Sequence, residues 1–208
     1  MTNRPFQNSV SLSLRIERAI ALHRDGDIEN AGEMYRQILR DFPDTAPVSH
    51  LLGGLELQQG RLESSISLID QSVRAEPQNP FYRNSLGEAY RMHGQLAKAE
   101  QSYRAALELL PNYAQAMGNL AIVLHAGGQF EEAISLFQQA IDCEPHNWDL
   151  HNNLGVSHQA LGDMTAARSC FERTIELQPL HAEAFHNLCS VHKQEGNLNE
   201  AKRAAQQC

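Results

Sequence analysis

Residues 80–113 read PFYRNSLGEAYRMHGQLAKAEQSYRAALELLPNY. Leu86, Gly87 and Tyr90 recur at helical spacing and share one face of a first helix. Gly94 ends that helix, because the left-handed conformation of a helix terminus is cheap only for Gly or Asn. Leu96, Ala99, Tyr103 and Ala106 mark one face of a second helix. Pro111 follows its end, where a ring without an N–H cannot continue the helical ladder. Gly87 and Ala99 are small and are expected where the two antiparallel helices approach closely.

The pattern repeats in both directions. Glycine stands at 26, 60, 94, 128, 162 and 196, and proline at 43, 77, 111, 145 and 179, both series evenly spaced and sharing one period. One turn-former and one helix-stopper per period predict a stack of helix pairs, none of which can bury its apolar face alone. The inner columns repeat too. The first-helix leucine is Leu52, Leu86, Leu120, Leu154 and Leu188, followed by Gly53, Gly87, Ala121, Gly155 and Cys189. The second helix carries Ala31, Ser65, Ala99, Ala133, Ala167 and Ala201, and four residues later Tyr35, Ile69, Tyr103, Phe137 and Phe171.

These columns, with the Gly and Pro series, resemble the tetratricopeptide (TPR) repeat over residues 12–208. The resemblance implies an all-α, right-handed solenoid whose first helices line a concave groove. The repeats are expected at 12–45, 46–79, 80–113, 114–147 and 148–181, with a partial one at 182–208. At least eleven helices are predicted. The first repeat is irregular: Arg15 and Arg18 take columns that are otherwise apolar or aromatic, while Ile16, Ala19 and Ile20 offer an apolar stripe. Residues 1–11 carry no pattern and read as a flexible tail.

Totals narrow the function. A formal charge of −8, from 25 acids against 17 bases, argues against nucleic acid as a partner, which needs a basic face. No apolar run approaches the roughly 20 residues that span a bilayer, and Met1–Val10 has no apolar core of a signal peptide. The four cysteines form no CxxC pair, so free thiols in a cytoplasmic setting are expected. The ten histidines show neither HExxH nor the i, i+4 spacing of a helical metal pair at His181, His186 and His192. No phosphate loop or nucleophile elbow occurs. The expectation is a chain with no catalytic residue, metal or cofactor that presents a surface to a protein or an extended peptide.

The sharpest candidate on that surface is the column Asn119, Asn153 and Asn187, with Asn84 and Asn152 one position earlier in their repeats. Asn costs roughly 0.5–0.7 kcal/mol against Ala inside a helix, so three at one column need a reason. A carboxamide both donates and accepts, and a ladder of them can pair with the backbone of an extended peptide. Alternatively, each Asn bonds the neighbouring repeat and locks the stack. The ladder is similar to that of the TPR superhelix in O-linked N-acetylglucosamine transferases at these three positions, but not at Leu51 or Ser85. Phe81, Arg91, His125, Gln159 and His186 complete the predicted groove. Arg91 and Lys193 stand at least two repeats apart, which disfavours the basic carboxylate clamp of chaperone-binding TPR domains.

Two functional readings follow. One is a non-catalytic interaction scaffold. The other is the substrate-recruiting TPR part of a larger transferase of glycosyl or sulfo type, since the chain stops five residues before the next expected proline. Its last helix is also expected to allow weak self-association through Leu198, Ala201, Ala205 and Cys208, which share a face.

Overall fold

The computed structural model describes the backbone of residues 4–205 and the side chains of residues 12–205. Among the described residues there are twelve helices and no strand: α1 (Arg4–Arg24), α2 (Ile28–Asp41), α3 (Ala46–Gln58), α4 (Leu62–Ala75), α5 (Pro80–Met92), α6 (Leu96–Leu109), α7 (Ala114–Ala126), α8 (Phe130–Cys143), α9 (Trp148–Ala160), α10 (Met164–Leu177), α11 (Ala182–Gln194) and α12 (Leu198–Ala205). The fold is an all-α helical repeat. From α4 onward, every helix starts one full period after its counterpart in the preceding repeat. Helix α1 departs from the period by starting at Arg4, inside the stretch expected to be a tail. Met1–Asn3 and Cys208 lie outside the described residues.

The turn chemistry explains the helix ends. All six period glycines have positive φ, from 73° to 84°. At Gly94 the Gly94 N–H reaches the Arg91 carbonyl at 3.0 Å and the Gln95 N–H the Tyr90 carbonyl at 2.9 Å. These two bonds satisfy carbonyls that the helix end leaves open. Second helices end differently. Phe42, Glu76, Glu144 and Gln178 leave the helical region, with φ between −129° and −138°, just ahead of a proline. Clash with the proline ring drives the preceding residue out of the helical region.

The chain divides into two compact bodies, Met1–Ala105 and Ala106–Cys208. In the N-terminal body, α1 packs on α2, α2 on α3, α3 on α4 and α4 on α5, while the first helices α3 and α5 also touch. Ala19, Ala31, Tyr35, Ile38, Val48, Leu52 and Leu55 form its main core, joined by Leu12, Ile16 and Leu22. The apolar stripe of α1 therefore runs through Leu12, Ile16, Ala19 and Leu22. Ile20 is 41% exposed, contrary to the sequence expectation. Arg15 needs no apolar slot, because its Nη1 meets Asp41 Oδ2 at 2.7 Å. Glu56 is buried between Arg36 and Arg61. Hydrogen bonds from Arg61, then Arg36, hold its carboxyl below the usual range against the opposing pull of burial.

The C-terminal body repeats the scheme: α7 packs on α8, α8 on α9, α9 on α10, α10 on α11 and α11 on α12, and the first helices meet as α7 on α9 and α9 on α11. The bulky second-helix column is the best-buried feature of both bodies. Tyr35, Ile69, Tyr103, Phe137 and Phe171 are at most 1% exposed, and each contributes roughly 1.5–3 kcal/mol by burial. The glycine column exists for these side chains. A Cβ on Gly87 would lie 2.6 Å from Tyr103 Cε1, and one on Gly155 2.6 Å from Phe171 Cε1. The expected partners, Ala99 and Ala167, are fully buried but are not the nearest atoms.

Candidate functional site

The first helices meet their counterparts in the next repeat through polar side chains. In the N-terminal body His50 Nε2 lies 2.8 Å from Ser85 Oγ, with the ring against Tyr82. In the C-terminal body Asn187 Nδ2 donates to Asn152 Oδ1 at 3.4 Å. Both pairs are 35 residues apart and use the same two repeat positions. A second kind of contact follows nearer the helix ends. His125 Nδ1 lies 3.0 Å from Ser157 Oγ, and Gln159 Nε2 donates to Ser190 Oγ at 3.2 Å. His50 and His125 are both pulled below the usual histidine range by burial. These four bonds tie first helices of successive repeats together within each body.

The predicted site residues separate by depth. Asn119, Asn153 and Asn187 are half-buried, on α7, α9 and α11 respectively. Asn84 is 5% and Asn152 3% exposed, so both stand beneath the surface. Asn152 Nδ2 donates to Glu183 Oε1 at 3.4 Å. Phe81 is 53% exposed, and His186 is exposed. Arg91 is engaged by Glu88, with Nη2 to Oε1 at 2.6 Å and Nε to Oε2 at 3.1 Å, and the Tyr103 hydroxyl donates to the same carboxylate at 3.1 Å. That pairing neutralises the arginine of the predicted groove.

Asn119 and Asn153 line a cleft of about 380 Å³ between α7 and α9. Gln115, Gly118 and Ile122 share its α7 wall, and Asp149 and Leu150 its α9 wall, and Glu144 and Asn147 also line it. Asn153 Nδ2 donates to the Asp149 carbonyl of its own helix at 3.0 Å and lies 3.5 Å from the Asp149 carboxylate. Its Oδ1 accepts no hydrogen bond among the described residues. Sequence reasoning does not single out Gly118, whose missing side chain admits Leu150: a Cβ there would lie 2.8 Å from Leu150 Cδ2.

Among the described residues, no group of three or more His, Cys, Asp or Glu could hold a metal ion. Burial, then Asp163, pushes the Cys170 thiol up to about 11, far from a reactive thiolate. Cys143, Cys170 and Cys189 are free. No described helix is long and apolar enough to cross a membrane.

A family model for the Tetratricopeptide repeat matches residues 22–88 and 124–190, and a second one residues 82–143. The chain belongs to the tetratricopeptide repeat family. Among curated relatives, this TPR chain is 29% identical over 99 residues to Protein CTR9 homolog of Arabidopsis thaliana, covering 47% of this chain and 9% of that protein. It is 28% identical over 116 residues to Protein O-mannosyl-transferase TMTC1 of Homo sapiens, covering 54% of this chain and 13% of that protein. The TPR chain thus aligns with small parts of much longer proteins. Among solved structures, PilW, described as a widely conserved type IV pilus biogenesis factor, has a TM-score of 0.87 at 16% identity, over 95% of this chain and 91% of that one. YrrB, described as a TPR protein with an unusual peptide-binding site, has a TM-score of 0.69 at 23% identity, over 83% and 89% of the two chains. At these identities the likeness establishes the TPR fold.

Proposed function

We propose that this TPR chain is a non-catalytic protein-interaction scaffold that holds an extended segment of a partner against its first helices. The observation that carries the reading is the set of half-buried carboxamides, Asn119, Asn153 and Asn187, two of which line an open cleft. Carboxamides match the donor and acceptor of a peptide bond, so they recognise a backbone whatever its side chains. The peptide-binding site ascribed to YrrB belongs to that protein and supports the reading by analogy of fold. A cytoplasmic location, expected from the free thiols, belongs to the same proposal.

Peptides selected from a random dodecapeptide display library against the whole chain test this reading. Selected binders should be varied in side chain, and replacing one central backbone amide by an ester should weaken them about tenfold. Selected peptides that tolerate every ester replacement would be bound by their side chains alone, and the backbone reading would be wrong.

The match to an O-mannosyl-transferase favours a second reading, in which the repeats recruit protein substrate for a transferase elsewhere in a longer chain. The coding sequence around this segment decides it. A transferase domain in the same reading frame supports recruitment, and its absence leaves the scaffold.

A further inference from the structure

Gly118 stands 35 residues before Asn153, at the spacing by which His50 pairs with Ser85 and Asn152 with Asn187. With no side chain at Gly118, Asn153 has no such partner in the preceding repeat. Its amide turns back to the Asp149 carbonyl, and its Oδ1 accepts nothing among the described residues. The same gap lies in the wall of the 380 Å³ cleft between α7 and α9. The cleft carries two carboxylates, Asp149 and Glu144, and no Lys, Arg or His lines it. Glu144 Oε2 already accepts from Asn147 at 2.9 Å, so Asp149 is the carboxylate more open to a ligand. We propose that the interruption of the inter-repeat bonds at Gly118 makes this cleft the anchor point for the bound segment, and that the segment enters with a lysine or arginine. The ligand's backbone N–H meets Asn153 Oδ1, its cationic side chain faces Asp149, and its aliphatic stem lies along Ile122 and Leu150. Asn187, already bonded to Asn152, contributes less.

This inference rests on the peptide-binding reading above. Its test uses the uniformly ¹⁵N-labelled full chain and the heptapeptide acetyl-Gly-Ala-Ser-Arg-Ser-Ala-Gly-amide, with counterparts carrying Gln or Glu in place of Arg. Side-chain carboxamide signals are followed by NMR during titration. The Arg peptide should shift Asn119 and Asn153 saturably and spare Asn187. The Gln peptide should bind about two- to five-fold more weakly, the range of one exposed ion pair, and the Glu peptide more weakly still. Asp149→Asn should erase the preference for Arg. Gly118→Asn, which restores a side chain at the gap, and Asn153→Ala should each abolish the saturable shifts. Asn153→Ala decides the matter if Gly118→Asn fails to fold. Equal binding of the Arg, Gln and Glu peptides at Asn119 and Asn153 would overturn the cationic ligand and leave the groove reading standing. Shifts centred on Asn187 would overturn the anchor point. No saturable shift with any peptide would overturn both.

Discussion

Gly53 and Gly54 are neighbours in the middle of α3, and changing each to Ala should have different effects on stability. Replacing a mid-helix glycine by alanine stabilises a helix by about 0.8–1 kcal/mol. That gain is common to both sites. At Gly54 nothing lies within 4 Å of the added Cβ, so the full gain should appear. At Gly53 the Cβ would sit 2.6 Å from Ile69 Cγ1 and 3.3 Å from the Ile69 backbone nitrogen. Ile69 is fully buried and the second contact is backbone, so α4 itself must shift. Overpacking of this kind costs about 1–3 kcal/mol. Gly53→Ala should therefore range from neutral to about 2 kcal/mol destabilising. The propensity gain cancels in the difference between the two variants, leaving about 1–3 kcal/mol that reports the α3–α4 contact alone. Urea unfolding followed by circular dichroism reads it. With an m-value of about 2–3 kcal/mol per molar, Gly54→Ala should raise the midpoint by roughly 0.3–0.5 M. Equal midpoints for the two variants would refute the packing of Gly53 against Ile69.

Gly87→Leu and Gly155→Leu should each destabilise by about 1–3 kcal/mol or more, because the added atoms meet the Tyr103 and Phe171 rings; an unchanged urea midpoint would count against this. His125, held low by burial, takes up a proton less readily folded than unfolded. Its contribution is full above about pH 6.5, the ordinary histidine value, and declines as pH falls below it. His125→Gln, which copies Gln159 one repeat later, should flatten the fall in melting temperature between pH 7 and pH 5, and a curve superimposable on wild type would contradict it. Ala201, expected on the associating face, is instead buried with Cys189 and Ala204, because α12 packs that side on α11; Leu198 is 65% exposed, and weak association that grows with concentration is expected by sedimentation, where a strictly monomeric chain at high concentration, with and without reductant, would dismiss the edge.

The fold is legible in the sequence because its determinants are local. A glycine at positive φ and a proline after a helix end act on their own few residues, so the period survives as a pattern of letters. Contacts across helices are less legible. The repeat columns set Gly87 against Ala99, yet Gly87 accommodates Tyr103, because the ring must pass between the helices to stay buried. Asn84 and Asn152 share a residue type with the ladder but sit one position round the helix, which rotates them about 100° and places them under the surface. The ladder itself is not uniform: Asn187 bonds the neighbouring repeat, while Asn153 turns back on its own helix. Gly118 is hard to find in the sequence because an absent side chain leaves no pattern. Its meaning emerges only when the pairs His50–Ser85 and Asn152–Asn187 are seen at the same spacing. Glu56 is hidden too, since its partners Arg36 and Arg61 come from other segments.

The most direct measurement is a paired one on the Asn119→Ala, Asn153→Ala, Asn187→Ala triple variant: affinity for a display-selected peptide by fluorescence polarisation, and the urea midpoint of the same sample. Alanine gains about 0.5–0.7 kcal/mol of helix propensity per site, which offsets the loss of bonds worth about 0.5–1.5 kcal/mol each. The central values leave a net loss of about 0.4 kcal/mol per site, so the midpoint should fall by about 0.5 M, while affinity falls at least tenfold. Normal affinity in a variant that unfolds at much lower urea would mean that the carboxamides hold the repeats together and do not hold a ligand.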